Sequence, residues 1–344
     1  MAEPLFSIVL PTYNRAHMLP GALDTVARQT CGDYEVLIVD DGSVDETPEM
    51  IKQWTKDPRF KYTRVPKNIG NMACRNMALE MATGTWITNI DSDDFWTLDR
   101  LEKFAAFFKK RPEAGFVFSD GWLHRFGRLI GTAFPPGMKV PEGKVPGHYA
   151  VGEEFLPYLT TNLAIPRALY KKYGHYRADM IILDNELYAR MLADGVEVGV
   201  IYERLAVRRI HEGQVTHKWL EEYPEGIAAL VAGGTPPDVL AAEKKKIVAE
   251  IASYLVKNLQ PEKAREFMLK ELGDEAKSMR VYKATMVPAP VLAAAKKARE
   301  WWLIARNQPA LATAEAKAVY ALIDPLIKAE DARVRAKKSA AKAA

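Results

Sequence analysis

Short apolar runs alternate with helical patterns over the first third of the chain. Strands are predicted over residues 6–10, 35–39, 60–65, 86–90 and 116–118. Helices, in which apolar residues recur every three or four positions, are predicted over residues 18–29, 47–56, 70–81 and 98–110. Strict alternation of strand and helix predicts an α/β domain with a mostly parallel sheet, covered by helices on both faces.

The middle of the chain has a less regular pattern. Residues 131–147 are rich in Pro and Gly and predict a long loop, a feature that is often functional in compact domains. Helices are expected over 155–173 and 183–192, with a short extended piece at 162–165. Residues 196–210 have a strand-like pattern.

A linker candidate separates this part from a helical region. It is Gly233-Gly-Thr-Pro-Pro237, and Gly and Pro interrupt regular structure. Beyond it, apolar residues at helical spacing continue to about Ala329. We therefore predict a nucleotide-binding domain over 1–232, a helical C-terminal domain over 233–330 and a basic, flexible tail over 331–344.

Composition narrows the class of protein. The apolar share of 48% and the charged share of 27% are typical of a globular protein. The net charge of +4 is too small for a dedicated nucleic-acid domain, although it suits an anionic ligand such as a nucleotide diphosphate. Cys31 and Cys74 form no metal-ligand pattern and no disulfide framework, which favours a reducing compartment. No segment approaches the roughly 18 apolar residues of a membrane span, so we expect a cytoplasmic protein.

Polar clusters follow three of the predicted strands at their carboxyl ends. They are Pro11-Thr-Tyr-Asn-Arg15, Asp40-Asp-Gly-Ser43 and Asp91-Ser-Asp-Asp94. Carboxyl ends of parallel strands meet at one edge of a sheet, where ligands bind. An Asp-x-Asp pair can hold Mg²⁺ or Mn²⁺ while the metal neutralises a diphosphate. One such cluster alone would fit a helix cap or a solvated turn, whereas three together favour a ligand site.

With these clusters in this order, the sequence resembles a known family, the inverting family 2 glycosyltransferases, which have the GT-A fold. The resembling stretches are Ser7-Ile-Val-Leu-Pro-Thr-Tyr-Asn14, Val39-Asp-Asp-Gly-Ser-Val-Asp-Glu-Thr47, Asn68-Ile-Gly-Asn-Met-Ala-Cys-Arg-Asn76 and Asp91-Ser-Asp-Asp94. They occur in the family's order, and the resemblance covers roughly residues 5–215. It implies a Rossmann-like GT-A domain that moves sugar from a nucleotide-sugar donor, with a UDP-sugar as the default.

The resemblance also implies roles for single residues. It assigns donor binding to Pro11, Thr12, Tyr13, Asp40, Arg75, Asp91 and Asp93. Thr12 and Asp40 would contact the nucleobase, and Arg75 lies in the stretch that closes over the nucleotide. Asp93 would be the main protein ligand of Mn²⁺ or Mg²⁺, and His211 would contact the metal or the diphosphate. The neighbouring Arg208 and Arg209 would either stabilise the leaving diphosphate or be exposed strand residues.

An inverting transfer needs a carboxylate that deprotonates the acceptor hydroxyl. The family supplies it from a Glu-Asp pair at the start of a helix that continues to an Arg, which corresponds here to Leu183-Asp-Asn-Glu-Leu-Tyr-Ala-Arg190. Asp184 takes the position of the base, although it would also suit a helix N-cap. Leu183 replaces the family's Glu. Glu186 is a second candidate, but two residues turn about 200° around a helix, so both carboxylates cannot share one face.

The acceptor stays open at this point. A saccharide, a lipid-linked sugar, a protein or a modified nucleic-acid base would each fit. Thr161, Asn162 and Glu186 are candidate acceptor contacts, and Trp122 and His124 are candidates for the wall of the sugar pocket.

Rival interpretations come from other classes of protein. A catalytically lapsed nucleotide-binding scaffold would account for Leu183. A nucleotidyltransferase is disfavoured because the chain has no Gly-rich, basic phosphate loop early on. The C-terminal helices leave open a homodimer interface and a peripheral contact with a membrane surface.

Overall fold

The computed structural model describes residues 3–125, 127–151, 156–177, 179, 184–211, 219–307 and 313–343. Its strands are β1 Phe6–Thr12, β2 Tyr34–Asp40, β3 Phe60–Arg64, β4 Trp86–Asn89, β5 Phe95–Trp96, β6 Ala114–Arg125, β7 Arg128–Thr132, β8 Leu163–Pro166 and β9 Glu197–Ile210. Its helices are α1 Leu19–Ala27, α2 Thr47–Ile51, α3 Asn71–Met81, α4 Arg100–Lys110, α5 Arg167–Tyr173, α6 Asn185–Ala193, α7 Trp219–Ala232, α8 Pro237–Lys257, α9 Pro261–Leu272, α10 Arg280–Ala284, α11 Ala289–Asn307 and α12 Ala314–Ala343.

The strands form one mixed sheet. Its order is β3-β2-β1-β4-β8-β6-β9-β5, and β7 pairs with β6. The first four strands of this order are parallel to one another, as the alternating pattern predicts. β6 and β9 are also parallel, whereas β5, β7 and β8 pair in the antiparallel sense. The predicted α/β class with a helical C-terminal region is therefore confirmed.

The apolar runs of the first strands are explained by burial on both faces. Every residue of β1 and β2 is buried. Because successive side chains of a strand point to opposite faces, Val9 and Leu37 join the core under α3, while Ile8 and Val36 join the core under α1 and α4. The sheet is thereby fixed between helices, and its carboxyl edge presents the loops that carry the polar clusters.

Two sequence-based predictions about the middle of the chain are wrong. The helix expected from residue 155 begins only at Arg167, after a short 3₁₀ turn at Thr160–Asn162 and the strand β8. Pro166 explains the late start, because a proline disfavours helical backbone in the residue before it. The fifth strand, expected over 116–118, is β6 and runs over twelve residues.

The C-terminal region has its own small core and then returns to the sheet. Ile251 and Leu255 of α8 pack with Phe267 and Met268 of α9. Helix α12 packs beside the sheet and includes residues 331–343 of the predicted tail, which is helical because Ala and Lys favour helices. The predicted domain boundaries stay predictions. No helix in the described part of the chain has the length and apolar character needed to cross a membrane.

Candidate active site

The loops that follow β1 and β2 are tied to each other. The backbone N–H of Asn14 donates to Ser43 Oγ at 2.8 Å, and Asn14 Oδ1 accepts from the N–H of Val44 at 2.8 Å. The N–H of Ala16 donates to Asp45 Oδ2 at 3.0 Å. Asn14 has a positive φ of 52°, a conformation that Asn tolerates better than most residues. Two of the three polar clusters are thus held as one unit.

The predicted nucleobase residues lie at the ends of these two strands. Thr12 of β1 is paired directly with Asp40 of β2. Within the described residues the Thr12 hydroxyl is buried without a hydrogen-bond partner, while Asp40 accepts from the Tyr62 hydroxyl at 2.7 Å. Pro11 is buried, and Tyr13 is 43% exposed at the rim. An unpartnered buried hydroxyl is uncommon in proteins, so its presence here fits a ligand contact.

Asp41 fixes the loop that precedes α3, a role not anticipated from the sequence. Its carboxylate accepts from the N–H of Ile69 at 2.6 Å and from that of Gly70 at 3.0 Å. Gly70 has a φ of 95°, a left-handed conformation that favours glycine. This contact sets where α3 begins, and so where Arg75 lies.

Arg75 links α3 to the third polar cluster. Its guanidinium is almost fully buried and donates to Asn89 Oδ1 at 2.9 Å and to Asp91 Oδ1 at 2.6 Å. Arg75 therefore holds Asp91 in place. The contacts of Arg75 and Asp91 with the donor stay predictions.

Asp93 and His211, the predicted metal ligands, lie side by side. His211 Nε2 is 3.0 Å from Asp93 Oδ2, although 118 residues separate them in sequence. Burial opposes ionisation of Asp93, but the His211 hydrogen bond and the positive charges of Arg15 and Arg209 outweigh it and lower its pKa. The lowered pKa favours the ionised carboxylate, which is the form that a metal ligand requires.

The residues at this position suit one of the two metals that the resemblance implies better than the other. No group of three His, Cys, Asp or Glu side chains in the described part of the chain is arranged to hold a metal. One carboxylate and one imidazole leave the other positions of an ion to diphosphate oxygens and water. A mixed oxygen and nitrogen set fits Mn²⁺ better than Mg²⁺, which takes oxygen ligands.

Arg209 holds the loop that carries Asp93 through hydrogen bonds to Asp93 and Asp94. The backbone N–H of Arg209 donates to Asp94 Oδ1 at 2.9 Å, and its side-chain Nε donates to the carbonyl oxygen of Asp93. The guanidinium lies over the ring of Phe95, 4.3 Å from the centroid. Because Arg209 is only 5% exposed, the expectation of an exposed strand residue is wrong for it.

Asp184, the predicted base, precedes α6 and is buried. Its Oδ2 accepts from the Thr160 hydroxyl at 3.0 Å, a partner that the sequence did not reveal. Its side chain makes no capping hydrogen bond to the helix, so the N-cap role is not observed. Burial raises the pKa of Asp184, against the positive charge of Arg75 and the Thr160 hydrogen bond. A raised pKa suits a general base. Leu183 lies outside the described residues.

A chain of buried tyrosine hydroxyl groups leads to Asp184. Tyr170 and Tyr176 have their hydroxyl oxygens 3.0 Å apart, and those of Tyr176 and Tyr188 are 2.9 Å apart. Tyr188 lies one turn after Asp184 on α6, and its N–H donates to the Asp184 carbonyl at 3.3 Å. The Tyr188 hydroxyl also lowers the pKa of Asp184. Tyrosine hydroxyl groups therefore form part of the surroundings of Asp184, the predicted base.

Two of the predicted acceptor residues, Glu186 and Asn162, are hydrogen-bonded within the protein, whereas the buried Thr161 hydroxyl has no hydrogen-bond partner among the described residues. Glu186 accepts from Arg190 Nε at 2.8 Å and Nη2 at 3.2 Å. Asn162 is fully buried, where it accepts from the N–H of Leu159 at 2.7 Å. Thr161 is 1% exposed. Their acceptor contacts stay predictions, but the observed bonds are internal.

Trp122 and His124 are both buried. Trp122 is 1% exposed and packs against Val319 and Ile323 of α12. Burial lowers the pKa of His124 to about 4. The expectation of a sugar-pocket wall is wrong for Trp122, because the C-terminal helix covers it, and it stays a prediction for His124.

Residues 7–121 match the family model described as Glycosyl transferase family 2. A PGL/p-HBAD biosynthesis glycosyltransferase of Mycobacterium tuberculosis is 38% identical over 137 residues, which are 39% of this chain and 53% of the relative. The putative colanic acid biosynthesis glycosyl transferase WcaA of Escherichia coli is 37% identical over 124 residues, 35% of this chain and 44% of the relative. The chain thus spans about half the length of the curated relatives it matches.

Solved structures share the fold at low sequence identity. Staphylococcus aureus TarS in complex with UDP-GlcNAc aligns with a TM-score of 0.54 and 19% identity, over 77% of this chain and 81% of that one. Mannosyltransferase PcManGT from Pyrobaculum calidifontis, in complex with GDP-Man and Mn²⁺, aligns with a TM-score of 0.53 and 18% identity, over 96% and 86%. The GT-A fold and the resemblance to family 2 glycosyltransferases are therefore confirmed.

Proposed function

Because residues 7–121 match glycosyltransferase family 2, we propose that the protein is a metal-dependent, inverting glycosyltransferase. It moves a sugar from a nucleotide-diphosphate donor to an acceptor hydroxyl. The observation that carries this proposal is the 3.0 Å approach of Asp93 and His211 at the edge where the loops after β1, β2 and β4 gather. One carboxylate and one imidazole at a strand edge are suited to a metal that holds a diphosphate.

The donor lies at the ends of β1 and β2. Thr12 and Asp40 contact the base, with Pro11 and Tyr13 beside it, and a UDP-sugar is the default donor. The UDP-GlcNAc of the TarS structure and the GDP-Man of the PcManGT structure support a nucleotide-sugar in this fold. Arg15 Nη2, 3.8 Å from Asp93 Oδ2, adds positive charge on the side where the diphosphate lies.

Asp184 is the general base. It takes the proton of the acceptor hydroxyl as that oxygen attacks the anomeric carbon, so the anomeric configuration inverts in one displacement. Thr160 orients the carboxylate through its 3.0 Å hydrogen bond, and burial raises its affinity for a proton. Asp93 and His211 would hold Mn²⁺, or Mg²⁺ in its place, and the bound metal would supply positive charge for the leaving diphosphate.

A thermal-shift screen tests the donor site. UDP-, GDP-, CDP- and TDP-sugars are each added with Mn²⁺ and with EDTA, because a ligand that binds only the native state raises the Tm. We expect a shift for one nucleotide class, the UDP-sugars by default, that disappears with EDTA. A shift that EDTA leaves unchanged would contradict the metal site, and no shift with any nucleotide would favour the lapsed scaffold. The acceptor, the homodimer and the cytoplasmic or membrane-peripheral location stay predictions.

A further inference from the structure

Helix α12 is anchored beside the sheet along its whole length. Three ion pairs and one hydrogen bond attach it: Glu315 to Arg204 at 2.6 Å, the Leu129 N–H to the Tyr320 hydroxyl at 2.7 Å, Glu330 to Arg209 at 2.6 Å and Lys337 to Glu46 at 2.7 Å. The helix is therefore attached to β7, β9 and the loop before α2, from which 111 to 291 residues separate it in sequence.

An apolar contact lies between these anchors. Ala316, Val319 and Ile323 of α12 are buried against Phe95 and Val207, among other residues. Phe95 directly follows the segment Asp91–Asp94, which we call the metal loop. Burial of apolar surface stabilises the folded state by roughly 25 cal/mol per Å². The packing of α12 on the sheet therefore contributes to the stability of the fold.

Glu330 is connected to the proposed metal site through one intermediate residue, Arg209. Its Oε2 lies 2.6 Å from Arg209 Nη1, and both side chains are largely buried, at 15% and 6% exposed. Arg209 in turn binds the carbonyl of Asp93 and the carboxylate of Asp94. Removing one partner of a buried ion pair weakens the hold on the other, so Glu330 helps to fix Arg209, together with the contacts that Arg209 makes to the metal loop and to Phe95.

We propose that Glu330 is a positioning residue for the metal loop and acts through Arg209. Helix α12 then belongs to the catalytic unit and is not an appendage beyond a linker. The inference rests on the proposed metal site, because its effect is exerted on Asp93. It goes beyond that proposal in assigning a role in the site to the C-terminal region.

The test measures Mn²⁺ binding by full-length protein with saturating UDP, from the electron paramagnetic resonance signal of free Mn²⁺. We expect Glu330→Gln to raise the Kd for Mn²⁺ by about tenfold, the lower end of the usual effect of partners outside the ligand set. Glu330→Asp keeps the negative charge and should raise the Kd for Mn²⁺ by less. Glu315→Gln is the matched control, since it breaks another α12 ion pair to the same strand whose arginine, Arg204, pairs with Asp120 and not with the metal loop, and it should leave the Kd unchanged.

A double variant shows whether Glu330 acts through Arg209. Arg209→Lys loses the bond to the Asp93 carbonyl, and adding Glu330→Gln should cause little further loss, because coupled residues are not additive. Equal losses in Glu315→Gln and Glu330→Gln, additive losses in the double variant, or a wild-type Kd in the Glu330 variants that fold would each overturn the inference. Wild-type protein that binds UDP but no Mn²⁺ would instead overturn the metal site, and this inference with it.

Discussion

The hydroxyl oxygens of Tyr176 and Tyr188 lie 2.9 Å apart inside the protein, and Tyr188 is one turn of α6 from Asp184. The family's Glu before the base is absent here, since Leu183 stands in its place. Around Asp184 the structure has instead the hydroxyl groups of Thr160 and Tyr188, together with the charge of Arg75. The surroundings of Asp184, the proposed base, thus come from three separate segments of the chain.

Asp184→Asn should lower kcat by about 10²–10⁴-fold, the usual contribution of a general base. Donor affinity should stay nearly unchanged, because Asp184 is assigned to the acceptor proton. Asp194→Asn, at the other end of α6 in an exposed pair with Lys172, is the control and should keep full activity. Rates from a coupled UDP-release assay check this, and retained turnover in Asp184→Asn would place the base elsewhere.

The pH dependence of the rate should report the environment of Asp184. Its pKa is raised, so kcat should fall with decreasing pH at a higher pH than for an ordinary Asp. The Tyr188 hydroxyl favours the ionised carboxylate, so Tyr188→Phe should raise that pKa and move the acid limb of the profile to still higher pH. Tyr170→Phe, at the far end of the hydroxyl chain, is the control. An unmoved acid limb in Tyr188→Phe would show that the chain does not act on the base.

Asp93→Asn and His211→Ala should each weaken Mn²⁺-dependent UDP binding by more than about tenfold. Each variant loses one of the two proposed protein ligands of Mn²⁺. The affinity for UDP measured in EDTA, where no metal is bound, should therefore stay the same. Isothermal titration calorimetry in Mn²⁺ and in EDTA separates the two contributions. Asp99→Asn, just beyond the metal loop, is the control. Equal Mn²⁺-dependent affinity in wild-type protein and both variants would contradict the ligand assignment.

Glu35 should make the fold sensitive to acid. Burial opposes its ionisation, but hydrogen bonds from Lys61 and Ser7 at 2.6 Å and from the Thr83 N–H at 2.7 Å lower its pKa from 4.5 to about 2. Since the pKa is lower in the folded state, this stabilisation is complete above about pH 4.5 and is lost as the pH falls towards 2.

Glu35→Gln tests that expectation. It should lower the free energy of unfolding at pH 7 by on the order of 2 kcal/mol, because hydrogen bonds to a charged group are lost. The difference from wild type should shrink at pH 3, as urea unfolding at both pH values would show. Glu49→Gln, which breaks an exposed pair with Lys52, should cost less than about 1 kcal/mol. Equal effects at both pH values would contradict the assignment.

The parallel half of the sheet was predictable because burial on both faces leaves a continuous apolar run, as in β1 and β2. The length of β6 was not, because Ser119, Asp120 and Gly121 interrupt its apolar pattern. Asp120 is nevertheless buried, since it accepts from the N–H groups of Gly121 and Phe134 at 2.7 and 2.9 Å. The Phe134 contact comes from outside the strand, so the burial of Asp120 has no signature in its own segment.

The candidate site also contains contacts that were predictable from the sequence and contacts that were not. The approach of Asp93 and His211 was predictable because both belong to motifs of a known order. The contacts of Thr160, Arg209 and Glu330 were not predictable, because they join residues 24 to 121 positions apart. Arg209 was marked by its place beside His211, but as a diphosphate contact or an exposed strand residue, and no motif marks Thr160 or Glu330. Their roles follow only from the fold, which brings α12 and the turn before β8 to the site.

The most direct test of the central claim is slow hydrolysis of an α-linked UDP-sugar by full-length protein without an acceptor, followed by ¹H NMR. Water then replaces the acceptor hydroxyl, so the acceptor need not be known. We predict UDP release with the β-anomer as the first sugar product, dependent on Mn²⁺, abolished by EDTA and lost in Asp184→Asn. An α-anomer as first product, or the same rate in EDTA or in Asp184→Asn, would contradict a metal-dependent inverting transfer with Asp184 as the base.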